Sequence, residues 1–473
     1  MRLWHTAAAT SAQFDDPNLV SHAGLVPVMR LAQDCGLAEL VGERVTVAGP
    51  CGANTPHKIG CVVAGMIAGA DAIDDLDLLR CGGMGELFDG VRAPSTLGSF
   101  LRALSWGNVR QLEAVSRRLL AELAARAPVL PDAAALMWLD VDSCQRRVYG
   151  HAKQGAGFGH AKVGGYSVRL RGLNPLIAAI STPTSAPLVA GTRLRGGTAA
   201  SARGAASFVA EQIGTARAAG ATGLLVVRMD SAFYNAATIA ACRRGGARFS
   251  VTARMDPKIR RAIATIPDQA WVGIRYPQAI FDDDEQRWIS DAEVAAVDYT
   301  AFASRGKQQA VTAELIVRRV RRLAPQVTAG QTELGPAWRY HAVFTDSPFP
   351  TLQAEADHRH HAIIEQLNAE LIDGPLAHLP SGVFTANAAW LSCAGIAHNL
   401  LHAAAALASR YHATARSGTL RRHLIGVPAR IAHRGRGQII LHLPEHWPWY
   451  DAWDGLFNAT HRTTHRAPPA RVA

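Results

Sequence analysis

The chain has 473 residues, 48% of them hydrophobic, and carries 49 Lys+Arg against 38 Asp+Glu for a formal net charge of +11. That length exceeds one ordinary domain and suggests about three, and so much apolar material excludes a chain that is disordered throughout. The seven cysteines (Cys35, Cys51, Cys61, Cys81, Cys144, Cys242 and Cys393) form no C-x-x-C pair, so a disulfide scaffold and a zinc ribbon are excluded and a reducing cytoplasm is expected.

Residues 1–130 read as helical. Apolar residues recur at helical spacing over Val26–Leu40, Lys58–Ala68, Asp74–Leu79 and Val109–Arg126, and Ser95 or Thr96 is placed to cap a helix running to Leu104. The module ends at the proline-bounded Arg126–Pro131. It suits a domain that binds DNA ends, although helical packing alone produces the same pattern. Residues 131–254 change texture. Ala135–Val141 is an apolar strand running into carboxylates, and Gly165–Leu170 and Asn174–Ser181 are further strands. A helix over Ala205–Ala218, a buried strand over Gly223–Met229, a helix over Ala236–Arg243 and a strand over Phe249–Ala253 complete a mixed α/β unit. Residues 255–350 are mostly β, with strands at Ala296–Phe302, Glu314–Arg322 and Trp338–Thr345. Residues 351–408 return to helix, over Asp357–Leu371 and from Asn387 to about Arg410. No secretory leader and no long uncharged apolar run is read; Ala403–Ala408 is taken as a buried helix segment, and no membrane is expected. Residues 409–473 hold ten arginines against three acids, more than half of the net charge. A basic excess of that kind points to a polyanionic partner, of which DNA is the first candidate.

Three carboxylates stand at places where chemistry gathers in α/β sheets: Asp142 in Trp138-Leu-Asp-Val-Asp-Ser-Cys144, Asp230 in Val227-Arg-Met-Asp-Ser-Ala-Phe233, and Glu365 in Asp357-His-Arg-His-His-Ala-Ile-Ile-Glu-Gln366. Converging, they would hold two Mg²⁺ ions for phosphodiester transfer. Each also has an ordinary reading: Asp142 as a turn cap, Asp230 as the cap of the next helix, Glu365 as a solvent-facing residue. Asp140 is an alternative to Asp142, because residues i and i−2 of a strand point to one face.

The order and surroundings of these acids resemble DDE transposases of bacterial insertion sequences, most closely insertion-sequence family 1380. The likeness rests on Trp138–Ser143, Arg228–Phe233, Glu314–Arg319, Trp338–Thr345, Glu355–Glu365, Leu379–Trp390 and Ala397–Leu400, and so runs over nearly the whole chain. It implies an α/β, ribonuclease-H-like catalytic core with an inserted mostly-β subdomain, preceded by a helical N-terminal domain. Separations of 88 residues between the two aspartates and 135 from Asp230 to Glu365 leave room for that insertion.

The resemblance also implies the activity. Terminal inverted repeats would be cut and joined to target DNA by a homodimer, with two Mg²⁺ (Mn²⁺ substituting) held by Asp142, Asp230 and Glu365. The alternatives are a ribonuclease-H-like nuclease without strand transfer, or an inactive DNA-binding derivative. Related transposases carry Y-x₂-R-x₃-E-x₆-K around the glutamate. Here the matching positions are His358, His361, Glu365 and Ile372, so the lysine is missing. Arg359 stands beside the pattern as a substitute arginine, and His361 is expected to touch the scissile phosphate from the same helix face as Glu365. Arg318, Arg319, Arg321 and Arg322 are expected to line a DNA groove, and Trp288 to stack on a base. Lys162 and Arg169 are further candidates for phosphate contact. His398 and His402 have metal-ligand spacing but no third ligand nearby in sequence, and Gly155-x-Gly157-x-Gly159 lacks the context of a nucleotide loop.

Overall fold

The computed structural model describes residues 1, 4–163, 166–275, 280–282, 287–289, 292–321 and 338–461. Five helices of eight residues or more lead: α1 (Leu25–Asp34), α2 (Leu37–Arg44), α3 (Thr55–Ala68), α4 (Pro94–Ala103) and α5 (Trp106–Arg126). The single helix expected over Val26–Leu40 is two, because Gly36 adopts a left-handed conformation at φ 74° and ends α1. Helix α4 starts on Pro94 without a side-chain cap, so Ser95 and Thr96 lie inside it. Helix α5 starts at Trp106, where Ser105 and Asn108 form a reciprocal capping box.

The centre is a nine-stranded sheet. Its chain-order elements are β1 (Leu136–Ser143), then β2 (Arg146–Arg147), β3 (Gly157–Val163) and β4 (Tyr166–Leu173), which form a separate three-stranded arm. Strands β5 (Leu176–Ser181) and β6 (Leu188–Arg193), helix α6 (Ala205–Ala218), β7 (Leu224–Met229), helix α7 (Ala236–Arg244) and β8 (Arg248–Thr252) follow. Strands β1, β5 and β6 pair antiparallel; β7 joins β1 in parallel and β8 joins β7 in parallel. These five strands, in the order β8-β7-β1-β5-β6, are the expected ribonuclease-H-like core.

Among the described residues the expected insertion makes only a small sheet of its own, Ile280–Asp282 paired antiparallel with Arg287–Ile289. Strands β9 (Val272–Ile274), β10 (Ala292–Ala301), β11 (Val311–Arg321) and β12 (Trp338–Thr345) extend the core sheet in the order β9-β10-β11-β12-β8. Strand β12 pairs antiparallel with β8 through Val343 and Thr252, Phe344 and Val251, and Thr345 and Ser250. The exposed edge of the core is thereby covered.

Three further helices complete the core: α8 (Thr351–Arg359), α9 (Ile363–Ile372) and α10 (Phe384–Ala408). The helix expected over Asp357–Leu371 is broken at His360–Ala362 by a 3-10 turn. Helix α10 packs on α3, α5 and β6. It is long and apolar enough to cross a membrane by length and composition, yet 89% of its most apolar window is buried in the protein. Interspersed Asn, Ser and His residues hide that run in the sequence. Asn399 holds the helix against edge strand β6: its side chain accepts from the Val189 amide and donates to the Val189 carbonyl, both at 2.8 Å. Helix α5 is tied to the core by Glu211 of α6, which takes Arg110, Arg117 and Arg193 together.

The basic C-terminal region folds back on the N-terminal helices. Strands β13 (Ala429–Arg434) and β14 (Gln438–His442) form a hairpin whose first strand pairs with Leu19–Val20, and α11 (Tyr450–His461) packs on α1 and α10. Gly24 lies so close to the Leu424 carbonyl that an added Cβ would stand 1.8 Å from it. Trp449 stacks on His423 at 3.4 Å, and Trp447 donates to the His423 carbonyl. Not all of the basic excess is surface charge: Arg421 turns inward to the carbonyls of Met66 and Ile67. Arg462, Arg466 and Arg471 lie outside the described residues.

Candidate active site

Asp140 and Asp142 share a face of β1, but their surroundings differ. Asp140 is fully buried, and its register neighbour on β7 is Arg228. The guanidinium makes two 2.7 Å bonds to the Asp140 carboxylate and a third to the Asp357 carbonyl, and it lies 4.7 Å above the Trp138 ring. His361 Nδ1 adds a 2.7 Å bond to Asp140 Oδ1. Burial alone would raise the Asp140 carboxyl; Arg228 and His361 outweigh it and hold the group below the usual carboxylate range. Asp140 is thus a fully engaged partner of Arg228 and His361, with little capacity for another ligand.

Asp142 lies two residues further on, half-buried at the strand end. It accepts from the Ser143 amide and from Asn368 Nδ2 at 3.1 Å, which fixes α9 against β1. Burial and the nearby Asp230 carboxylate push its carboxyl up to about 6; Glu365 adds to the rise, while the Ser143 amide and His361 oppose it. Asp230 follows β7 directly and accepts from the Ala232 amide, capping the turn Ser231–Phe233. The expected capping role is therefore present, and it coexists with placement beside Asp142. Glu365 stands exposed in the first turn of α9. Asp142 and Asp230 stand at the ends of adjoining strands, and Asp142 is within electrostatic reach of both Asp230 and Glu365 of α9.

The surrounding candidates are placed less uniformly. His358 is buried between two hydroxyls, Ser250 Oγ at 2.8 Å from Nδ1 and Thr252 Oγ1 at 2.9 Å from Nε2. Burial lowers its pKa to about 3, so it is neutral and has no ring nitrogen left for a phosphate. His358→Leu is expected to cost about 2 kcal/mol, because two buried hydroxyls lose their partner, and to leave DNA affinity unchanged; urea denaturation and a binding titration check this together. Arg359 pairs with Glu355 at 2.9 Å, and Glu355 also holds Arg318 at 3.3 Å. Arg319 pairs with Glu293 and lies between the rings of Trp271 and Trp338, at 4.2 and 4.5 Å. With side chains only 17% and 14% exposed, Arg318 and Arg319 are part of the packing of β11 and not an open groove. Arg322 and the side chains of Arg321 and Trp288 lie outside the described residues.

Some residues were not anticipated. Asn368 carries no signal beyond its position i+3 from Glu365. Arg228 does: a charged residue inside an apolar strand needs a buried partner, and Asp140 to Arg228 spans the same 88 residues as Asp142 to Asp230, as two strands in fixed parallel register require. Glu370 supplies the third group beside His398 and His402, with ligand atoms all within 4.8 Å. That cluster is hydrogen-bonded: Glu370 accepts from the Ser417 amide and hydroxyl at 2.9 and 2.6 Å, and His398 meets the Pro187 carbonyl at 3.0 Å. It joins α9, α10 and the C-terminal region.

Strand order and direction define a ribonuclease-H-like core, with Asp142 and Asp230 at the ends of its adjoining strands. A family model described as "Transposase DDE domain group 1" matches residues 6–464, and the chain belongs to that family of DDE transposases. A search of curated proteins returns no match.

Proposed function

We propose that the protein cuts DNA at the terminal inverted repeats of an insertion sequence and joins the freed 3′ ends to target DNA, with Asp142, Asp230 and Glu365 as the catalytic carboxylates. The observation that carries this reading is the placement of Asp142 and Asp230 at the ends of the parallel neighbours β1 and β7, with Glu365 of α9 close enough to act on Asp142. A cluster of oxygen donors that repel one another fits a hard divalent cation. Mg²⁺, with Mn²⁺ as a substitute, would be held by these three residues and supplies the Lewis acidity and charge neutralisation that phosphodiester transfer needs.

The chain's own groups do the remaining work. Asn368 and the Ser143 amide fix the Asp142 carboxylate. Asp140, locked on Arg228, orients His361 by accepting from Nδ1, which leaves Nε2 as the ring nitrogen facing a phosphate oxygen, a donor to it when the ring is doubly protonated. The basic surface draws in the DNA backbone, so binding weakens steeply with salt. Action as a homodimer on paired ends, and closer kinship to insertion-sequence family 1380, belong to the same proposal.

The test is a labelled duplex carrying the repeat ends, incubated with the protein and Mg²⁺. Metal-dependent nicking at the repeat boundary supports the reading; end binding without cutting in either Mg²⁺ or Mn²⁺ sinks it. A second expected outcome concerns stability. The Asp142 carboxyl is raised in the folded state, so its stabilising contribution is full below the ordinary carboxylate pKa and is lost as pH rises through about 6. Near neutral pH, Asp142→Asn should stabilise the metal-free protein by about 2 kcal/mol and erase the rise in Tm that Mg²⁺ gives the wild type. Calorimetry with and without Mg²⁺ reads both.

A further inference from the structure

The arm of β2, β3 and β4 is rooted beside the acid cluster and carries Arg169, one of the residues expected to contact phosphate. From Cys144 to Pro175 the chain contains six Lys or Arg and two His, and no Asp or Glu. Its base is fixed. Gln145 Nε2 donates to the carbonyls of Gly157 and Leu170, and Arg146 donates to the carbonyls of Leu376 and Ala377, beyond the end of α9. Gly197 packs so tightly that an added Cβ would stand 2.0 Å from the Gly172 carbonyl oxygen and 2.4 Å from that of Gly157; the glycine-rich stretch serves this close backbone approach.

On this rigid base, Arg147, Tyr149, His151, Phe158 and Arg169 surround a hollow of about 390 Å³. Tyr149 and Phe158 are 66% and 57% exposed. The Arg147 guanidinium lies 5.4 Å from the Tyr149 ring, and that of Arg169 lies 5.9 Å from the Phe158 ring. Exposed aromatic faces edged by guanidinium groups, on an acid-free sheet, match a planar base with its phosphate: the aromatics offer stacking and the arginines charge. Tyr149 follows Asp142 by seven residues, at most about 25 Å of extended chain, or roughly seven base-pair rises.

We propose that this hollow takes an unpaired nucleotide of the DNA close to the bond being cut, stacking the base on Tyr149 and Phe158 and holding the phosphate with Arg147 and Arg169. The inference rests on the reading of the chain as a DNA-cutting enzyme. Duplex bases are stacked on each other, so the hollow selects DNA that is opened at this point.

The test is a binding titration of the full chain in EDTA, comparing a fully paired repeat-end duplex with one carrying a short unpaired bubble next to the cleavage position. Wild type is expected to bind the bubble roughly ten-fold tighter. The double variant Tyr149→Ala/Phe158→Ala should lose that preference, and Arg147→Gln/Arg169→Gln should weaken both duplexes and flatten the salt dependence by about two phosphate contacts. Tyr166→Ala is the control: Tyr166 is 78% exposed on the same arm, but strand alternation from its register with Val163 puts it on the face opposite Phe158. Retention of the preference in the Tyr149/Phe158 variant, no preference in wild type, or equal loss in the control would each overturn the site. Because no cutting is needed, failed cleavage with an intact preference would count against the carboxylate reading alone.

Discussion

Asp230→Ala and Glu365→Gln are each expected to slow strand cleavage at least about 1000-fold, equivalent to roughly 4 kcal/mol of lost transition-state stabilisation, while repeat-end binding stays within a few-fold of wild type. The reason is a division of labour. These carboxylates are proposed to hold the divalent ions, whereas affinity for DNA comes from basic residues elsewhere and from counterion release. Asp230 also caps the turn Ser231–Phe233, so Asp230→Ala should cost about 1 kcal/mol of stability as well; Asp230→Asn keeps a side-chain oxygen for the cap and isolates the loss of charge. Single-turnover cleavage and a binding titration on the same preparations separate the two effects. A variant that cuts near the wild-type rate removes its residue from the site.

Arg228→Ala is expected to produce the largest loss of stability, about 3–5 kcal/mol. The substitution leaves Asp140, fully buried, with His361 as its remaining side-chain partner. Removing both charges with residues of similar volume, Asp140→Leu with Arg228→Met, should recover much of that loss, because the desolvation cost of the pair disappears with the pair. The double variant separates structure from function. If Asp140 matters by orienting His361, the restored protein folds but cleaves poorly; if the pair only fills space, cleavage returns with stability. Urea denaturation of the two single variants and the double variant, followed by cleavage under native conditions, decides between these. The Asp140 carboxyl is depressed in the folded state, so its contribution is present above the ordinary carboxylate pKa and fades as pH falls below that range; the wild type should lose more stability on acidification than the double variant.

Much of the core was legible because its signals are local. Strands such as Gly223–Met229 are short apolar runs ending at a carboxylate, and the helix over Ala205–Ala218 is found at the expected bounds. What could not be read depended on partners distant in sequence. Asp140 and Asp142 are indistinguishable by periodicity, and only the register that sets Arg228 opposite Asp140 separates them. His358 and His361 belong to one motif, yet one is enclosed by hydroxyls of β8 while the other reaches β1. The arginines of β11 read as a basic patch because Glu355, Glu293 and the two tryptophans that enclose them lie far along the chain. Strands β10, β11 and β12 lie where short β runs were read, but their continuity with the core sheet depends on the pairing of β12 with β8, a long-range choice that no local pattern encodes. The C-terminal charge likewise concealed a folded region, since its docking uses a glycine at position 24 and stacked aromatics instead of a strong hydrophobic period.

Asp142, Asp230 and Glu365 are proposed to form one metal-dependent centre that cuts and joins DNA. The most direct measurement is a strand-transfer assay: purified protein, a labelled duplex carrying the repeat ends, an unlabelled target plasmid and Mg²⁺, with EDTA and Asp230→Asn reactions alongside. Nicks at the repeat boundary and labelled ends joined to the plasmid are expected, both absent in EDTA and with Asp230→Asn. Cutting and joining that persist in Asp230→Asn, or wild-type protein that binds the ends and does neither in Mg²⁺ or Mn²⁺, would contradict the proposal.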